Sequence, residues 1–164
     1  MVRILGIDPG SLFTGYGIVD YDGQRLCHVA SGCLRLAGEP FNARLRGIFE
    51  GVRAVLKEFS PQELAVEQAF VHKNAGSALK LGQARAAAIC ASFVNPAQLF
   101  EYTPRAVKLA LTGKGSADKE QVQHMVKVLL GLHQALQADS ADALAVAICH
   151  AHSRGLAAKL GSAG

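Results

Sequence analysis

The sequence predicts an α/β domain built on a five-stranded mixed sheet flanked by helices. Three observations carry the prediction. The first 36 residues hold three β-rich runs in succession, at 2–8, 16–21 and 25–36. Two further strand patterns, at 63–68 and 99–102, then alternate with helical periodicity. No repeat, linker or low-complexity block divides the 164 residues, a length that suits one domain of about 100–200 residues.

Residues 2–8, VRILGID, form a buried strand stopped by Asp-Pro-Gly. The next two runs meet at Asp22-Gly23, a hairpin signature, so the chain opens as an antiparallel meander. Over 41–59, Leu45, Ile48, Val52, Val55 and Phe59 recur at helical spacing while Arg44, Arg46, Arg53 and Lys57 take other faces, and Pro61 closes the helix. The strand ELAVEQ ends at Glu67 in apolar company. Residues 76–94 are rich in Ala and Leu, a helix expected to be buried or to lie at a subunit interface. Helices follow at 104–111, 118–132 and 139–153. The domain is expected over 1–154, with 155–164 as a flexible tail.

Composition narrows the class. Apolar residues make up 50% and charged residues 18%, below the typical charged share of about 25%, which excludes a disordered acidic protein. No apolar run reaches the roughly 18 residues of a membrane span. The first ten residues are too short and glycine-rich for a signal-peptide core. Cys27, Cys33, Cys90 and Cys149 lack CxxC spacing and read as reduced core thiols, so a cytoplasmic location is expected.

The net charge of +4 is mild, but it is unevenly placed. From Phe70 to Lys119 there are seven basic residues (Lys73, Lys80, Arg85, Arg105, Lys108, Lys114, Lys119) and two acidic ones (Glu101, Asp118). This stretch is either a solvated face or a surface that tracks phosphates. Phe70 opens it, as a core residue or as an aromatic that stacks on or wedges between bases. The loop TGKGSADK, 112–119, puts Lys114 and Lys119 beside glycines, a form suited to touching phosphate.

The acids hold the chemistry. Asp8 closes the first strand and Glu67 closes another, while Asp139 and Asp142 open an apolar helix and share one face at i and i+3. If the two strands are neighbours, four carboxylates converge, and hard oxygen donors of this kind select Mg²⁺ or Mn²⁺. Taken singly, Asp139 and Asp142 also fit N-cap and N3 positions, and Asp8 fits a turn. The glycine-rich GIDPGSLFTGYG has two readings: backbone amides that cradle phosphate, or tight hairpin turning at Gly15 and Gly17. Among the histidines, His124 reads as a core residue, and His150 and His152 fall on different helix faces without forming a site.

On these residues the chain resembles the RuvC family of crossover (Holliday) junction endodeoxyribonucleases. The matching stretches are ILGIDPGS with TGYG (4–17), SGCLRL (31–36), VEQAFVHKNAGSALKLGQARAAAI (66–89), GSADKEQVQHMV (115–126) and QADSADALAVAICHAH (137–152). The resemblance implies an RNase H-like fold, a homodimer on a four-way DNA junction, and cooperation with a RuvA–RuvB branch-migration machine. It makes Asp8, Glu67, Asp139 and Asp142 metal-binding catalytic acids, and Lys119 a catalytic and DNA-binding residue. Lys108 becomes a junction-backbone contact and Phe70 the aromatic that stacks at the crossover. The remaining DNA contacts fall to Lys73, Lys80, Arg85 and Lys114 of the basic stretch. Two Mg²⁺ ions about 4 Å apart, with Mn²⁺ as a substitute, suit phosphodiester hydrolysis by such acids. One departure stands out: where the family pattern has a basic residue after Gly10-Ser11, this chain has Leu12.

Three alternatives differ in testable ways. A noncatalytic nucleic-acid-binding module predicts metal-independent binding without nicking. A phosphate-transfer protein of the actin, Hsp70 and sugar-kinase superfamily, suggested by GIDPGS, needs two such domains. An RNase H-like nuclease acting on RNA precursors keeps the acids but not the crossover aromatic.

Overall fold

A computed structural model of the chain describes residues 1–68, 74–94 and 96–161, with side chains as far as Gly155. The elements run β1 (Val2–Asp8), β2 (Phe13–Tyr21), β3 (Leu26–Arg35), α1 (Phe41–Phe59), β4 (Glu63–Glu67), α2 (Ala75–Ser92), β5 (Gln98–Tyr102), α3 (Pro104–Thr112), α4 (Lys119–Leu130) and α5 (Ala138–Gly161). The sheet order is β3-β2-β1-β4-β5. The first three strands pair antiparallel, and β1, β4 and β5 pair parallel, which is the expected mixed sheet. Gly23 takes φ +106° at the β2–β3 turn, where the Asp22 carboxylate accepts the amides of Gln24 and Arg25.

Strand alternation gives the sheet two faces. On one, Leu5, Ile7, Ile18, Leu64 and Val66 pack against α1 and α2 through Ile48, Val52, Leu56, Ala84 and Ala88. On the other, Ile4, Val19 and Ala65 pack against Leu144 and Ile148 of α5, with α3 and α4 closing over the far side of that helix. Helix α5 is therefore buried almost all round from Ala141 to Ala151, as its alanine-rich sequence permits.

Three glycines let α5 lie on the sheet. A Cβ at Gly6 or Gly15 would overlap the carbonyl oxygen of Ala143 or Asp139, and one at Gly17 would come 2.6 Å from Leu144 Cγ. Gly15 and Gly17 lie inside β2. The hairpin-turn reading is thus corrected: these residues are glycine because a helix backbone crosses them.

Other expectations also change. β2 begins at Phe13 rather than at residue 16, and α5 runs to Gly161 rather than to residue 153. Helix α2 is not enclosed. It buries Ala84, Ala88 and Ala91 on one face, while Leu79, and Phe93 and Val94 just past its end, are 65–72% exposed. Alanine makes a helix apolar without forcing its burial. Cys27 and Cys90 are exposed and Cys33 is partly so, leaving Cys149 as the core thiol. His124 is exposed on α4. Among the described residues no helix is long and apolar enough to cross a membrane.

Candidate active site

Period-two alternation places Asp8 on the same sheet face as Ile4 and Gly6, the face that α5 covers. The same count down β4 puts Glu67 with Ala65 on that face. Ile7 pairs with Val66 in the parallel β1–β4 ladder, so the two acids leave neighbouring strand ends together. The first turns of α5 then bring Asp139 and Asp142 over them. Asp8, Glu67 and Asp142 thus line one cleft, and Asp139 acts on Asp8 through its charge.

Asp139 does not cap its helix. Helix α5 starts at Ala138, the Ala141 amide goes to the Gln137 carbonyl at 2.9 Å, and the Ser140 hydroxyl donates to that oxygen at 2.8 Å. The Asp139 carboxylate instead accepts the thiol of Cys33, on β3, at 3.8 Å. The cap-position explanation of this acid is thereby removed. Burial and the Asp139 charge push the Cys33 thiol up, so it stays protonated and donating.

Beside these acids lies a cleft of ≈ 340 Å³ lined by Asp8, Glu67 and Asp142, the cations Lys108 and Lys119, and an apolar wall of Pro104, Val107, Val122 and Ala145. Lys119 stands at the first position of α4 because Asp118 caps that helix in a reciprocal capping box with Gln121. From there its Nζ reaches Asp142 Oδ2 at 2.6 Å.

The electrostatics of the cluster are those of too many anions. Burial, reinforced by Glu67 and Asp142, pushes the Asp8 carboxyl up to about 7. Burial and Asp142 raise Glu67. Asp142 is raised by burial despite its contact with Lys119, while hydrogen bonding to Asp142 raises Lys119. Such a group of half-buried carboxyls is short of positive charge. Four carboxylates are the donor set of a hard divalent cation, and they fit one chemically. Among the described residues no three acids, histidines or cysteines are drawn together tightly enough to clasp an ion. Asp142 is turned to the Lys119 ammonium instead.

The remaining predicted residues are spread around the cleft. Lys108 lines it from α3. Lys114 is exposed in the loop between α3 and α4, whose turn is held by the Thr112 hydroxyl. Lys80 is exposed on α2. Arg85 pairs with Glu101 and donates to the Glu67 carbonyl at 3.4 Å, tying α2 to the end of β4. Phe70 and Lys73 lie outside the described residues.

Two features escaped the sequence reading. One is the Cys33 contact, which joins residues 106 positions apart. The other is a buried network in which His150 meets Tyr102 Oη through Nδ1 and Glu63 Oε2 through Nε2, both at 2.7 Å. The only sequence signal for it was a glutamate and a histidine inside apolar runs.

The comparisons with known proteins agree with this geometry. The family model for "Crossover junction endodeoxyribonuclease RuvC" matches residues 4–150. A protein of that name from Methylococcus capsulatus is 59% identical over 154 residues, 94% of this chain and 93% of its own. Another from Hahella chejuensis is 50% identical over 162 residues, 99% of this chain and 94% of its own. The structure resembles that of Thermus thermophilus RuvC in complex with Holliday junction substrate, at a TM-score of 0.89 and 34% identity over 96% of this chain and 97% of that one. The yeast mitochondrial Holliday junction resolvase Ydc2, at a TM-score of 0.69 and 12% identity over 95% of this chain and 82% of its own, shares the fold. With its sheet, its four converging carboxyls and these matches along nearly its whole length, the chain belongs to the RuvC family of crossover junction endodeoxyribonucleases.

Proposed function

We propose that the chain resolves four-way (Holliday) DNA junctions by paired symmetric nicks in recombination and repair, hydrolysing phosphodiester bonds with Mg²⁺, two ions per site, for which Mn²⁺ substitutes. The observation that carries this reading is the convergence of Asp8, Glu67 and Asp142 with Lys119 on one open cleft, with Asp139 adding its charge at Asp8.

When bound, the metal supplies positive charge at the phosphoryl oxygens and lowers the pKa of the attacking water. Asp8, Glu67, Asp139 and Asp142 would hold it, Asp8 and Glu67 in their ionised forms against the upward push of burial. Lys119 exchanges Asp142 for a phosphoryl oxygen of the scissile group, placing charge where it develops in the transition state. Lys108 contacts the flanking backbone from the other wall. Lys73, Lys80 and Lys114 follow the strands outward. Arg85 joins them by exchanging Glu101 for a phosphate, and Phe70 stacks at the crossover. The apolar wall of Val107, Val122 and Ala145 limits bulk water around the acids.

Two nicks related by symmetry require two sites, so the working form is a homodimer. The exposed apolar side of α2, with Leu79, is its candidate interface. A branch-migration complex of the RuvA–RuvB type is the partner that delivers junctions, in the cytoplasm.

The test is gel cleavage of a synthetic four-way junction with and without Mg²⁺, beside a linear duplex of the same sequence. Paired, Mg²⁺-dependent nicks confined to the junction are expected. Binding with no nicks in either Mg²⁺ or Mn²⁺ would reduce the chain to a binding module.

A further inference from the structure

We infer that Arg44 and Lys80, gathered on the ring of Phe41, form a phosphate-binding subsite for the junction strand beside the turn that follows Asp8. The inference rests on the junction-nuclease reading and extends it to residues outside the carboxylate cleft.

The turn at residues 9–13 reads Pro-Gly-Ser-Leu-Phe and offers no charged side chain, Leu12 being 46% exposed there. A cation is supplied from elsewhere. Arg44 reaches across from α1, and its Nη1 donates to the Ser11 carbonyl at 3.4 Å. Its guanidinium carbon lies 5.4 Å from the Phe41 ring centre, and Lys80 Nζ comes to 5.9 Å from the same centre. Two like charges gathered at one ring are unfavourable, and cation–π attraction offsets only part of that. Among the described residues neither has a carboxylate within 4.0 Å, whereas Arg3, Arg85, Lys119 and Arg154 all do.

Two further observations point to an anion. Arg44 Nε is buried without a hydrogen-bond partner, the sole such side-chain atom among the described residues, and a buried donor left bare is costly. The ring also stands at the start of α1, whose first turn carries no acid and whose Pro40 provides no side-chain cap. The positive end of a helix dipole therefore adds to the two cations. The second arginine–aromatic pair, Arg53 over Phe49 at 5.5 Å, holds a single cation and shares its groove with Glu50.

Position selects the ligand. Ser11 is three residues beyond Asp8, and three residues span at most about 11 Å. A DNA strand with a phosphate at the carboxylates carries its next ones past this turn, at roughly one charge per 3.4 Å of axis. The subsite thus takes a non-scissile phosphate within a few nucleotides of the cut.

The test measures junction affinity against KCl concentration in EDTA for the wild type, Arg44→Ala, Lys80→Ala and the double variant, with Mg²⁺-dependent cleavage run in parallel. Each single change should weaken binding about tenfold and reduce the log–log salt slope by roughly 0.7–0.9, with about twice that reduction in the double. KM should rise much more than kcat falls, and Arg44→Lys should restore the slope. Unchanged slopes alongside a wild type that binds and cleaves would overturn the subsite and leave the nuclease reading standing. A lowered melting temperature in Arg44→Ala with an unaltered slope would also overturn it, making Arg44 a prop for the turn. A wild type that binds no junction would overturn both readings.

Discussion

Glu63 and Glu67 sit four residues apart on one strand, on one face, under one helix, and live in opposite electrostatic settings. Glu63 is nearly buried, accepts from His150 Nε2 at 2.7 Å and lies 3.2 Å from Arg154 Nε. His150 is in turn held by Tyr102 and tilted against the Phe100 ring, 4.2 Å between centres. Glu67 lies beside Asp8 and Asp142, and burial with the Asp142 charge raises it. Both ends of the α5–β4 contact contain carboxylates. At one end the protein has satisfied its acid, and at the other it has collected acids and left them wanting a cation. The first arrangement is that of a structural ion pair, the second that of a site.

The largest effect comes from the unsatisfied end. Asp8→Asn should cut junction cleavage at least about a thousandfold. It should leave junction binding intact and keep or raise the melting temperature, because a repelled buried charge disappears. Retained cleavage would take Asp8 out of the mechanism. Lys119→Ala should lower kcat by about 10²–10³-fold with little change in junction Kd. Equal losses in both would make it a positioning residue only.

The satisfied end should show the reverse pattern. Glu63→Gln leaves His150 and Arg154 without their carboxylate and should cost about 2–3 kcal/mol. That is roughly 4–12 °C in melting temperature for a chain of this size. Cleavage at 25 °C should survive. A loss of activity without a loss of stability would erase the contrast between the two glutamates.

The smallest effect is a pair of opposing pH slopes in metal-free buffer. Asp8, at about 7 when folded against 3.8 as an isolated side chain, binds its proton more tightly in the native state. It therefore costs stability as pH rises from about 4 to 7. Burial lowers His150 from its ordinary 6.5, so the unfolded chain takes the proton first and stability is lost as pH falls below about 6.5. Denaturant midpoints across pH 5–7 should fall less steeply with rising pH in Asp8→Asn than in the wild type. In His150→Gln they should fall more steeply. Identical profiles in all three would show that neither group is perturbed.

Only the Glu67 side of this contrast is legible in the sequence, and the division follows physical lines. Strand–turn signals fixed β1, the Asp22-Gly23 hairpin and the carboxylates at strand ends, because each is a local feature. Helix α1 was placed over 41–59 by its spacing, and the structure has it there. Pairwise and layered features were not local. His150 read as uninformative because its partners, Glu63 and Tyr102, lie 87 and 48 residues away. His124 was placed in the core by apolar neighbours in sequence, yet it takes the outer face of α4. Helix α5, expected over 139–153, runs on to Gly161, past Gly155, a residue that also suits a helix C-terminus. The acids at Asp139 and Asp142 had two readings until the start of α5 was known, since a shift of one position separates a cap from a first-turn residue.

Gly6, Gly15 and Gly17 do more than admit a helix. Two of the four acids belong to the sheet and two to α5, and the spacing between the pairs is the thickness of the seam where these glycines touch the helix backbone. That spacing is set by atoms the chain does not have. A methyl group added at Gly15 leaves every acid and lysine in place in the sequence, but it must lift the start of α5, and with it Asp139 and Asp142, away from Asp8 and Glu67. The chain's sensitivity to change therefore extends to positions with no chemistry of their own. A survey of inactive variants would find residues there that behave as members of the site while touching neither metal nor DNA.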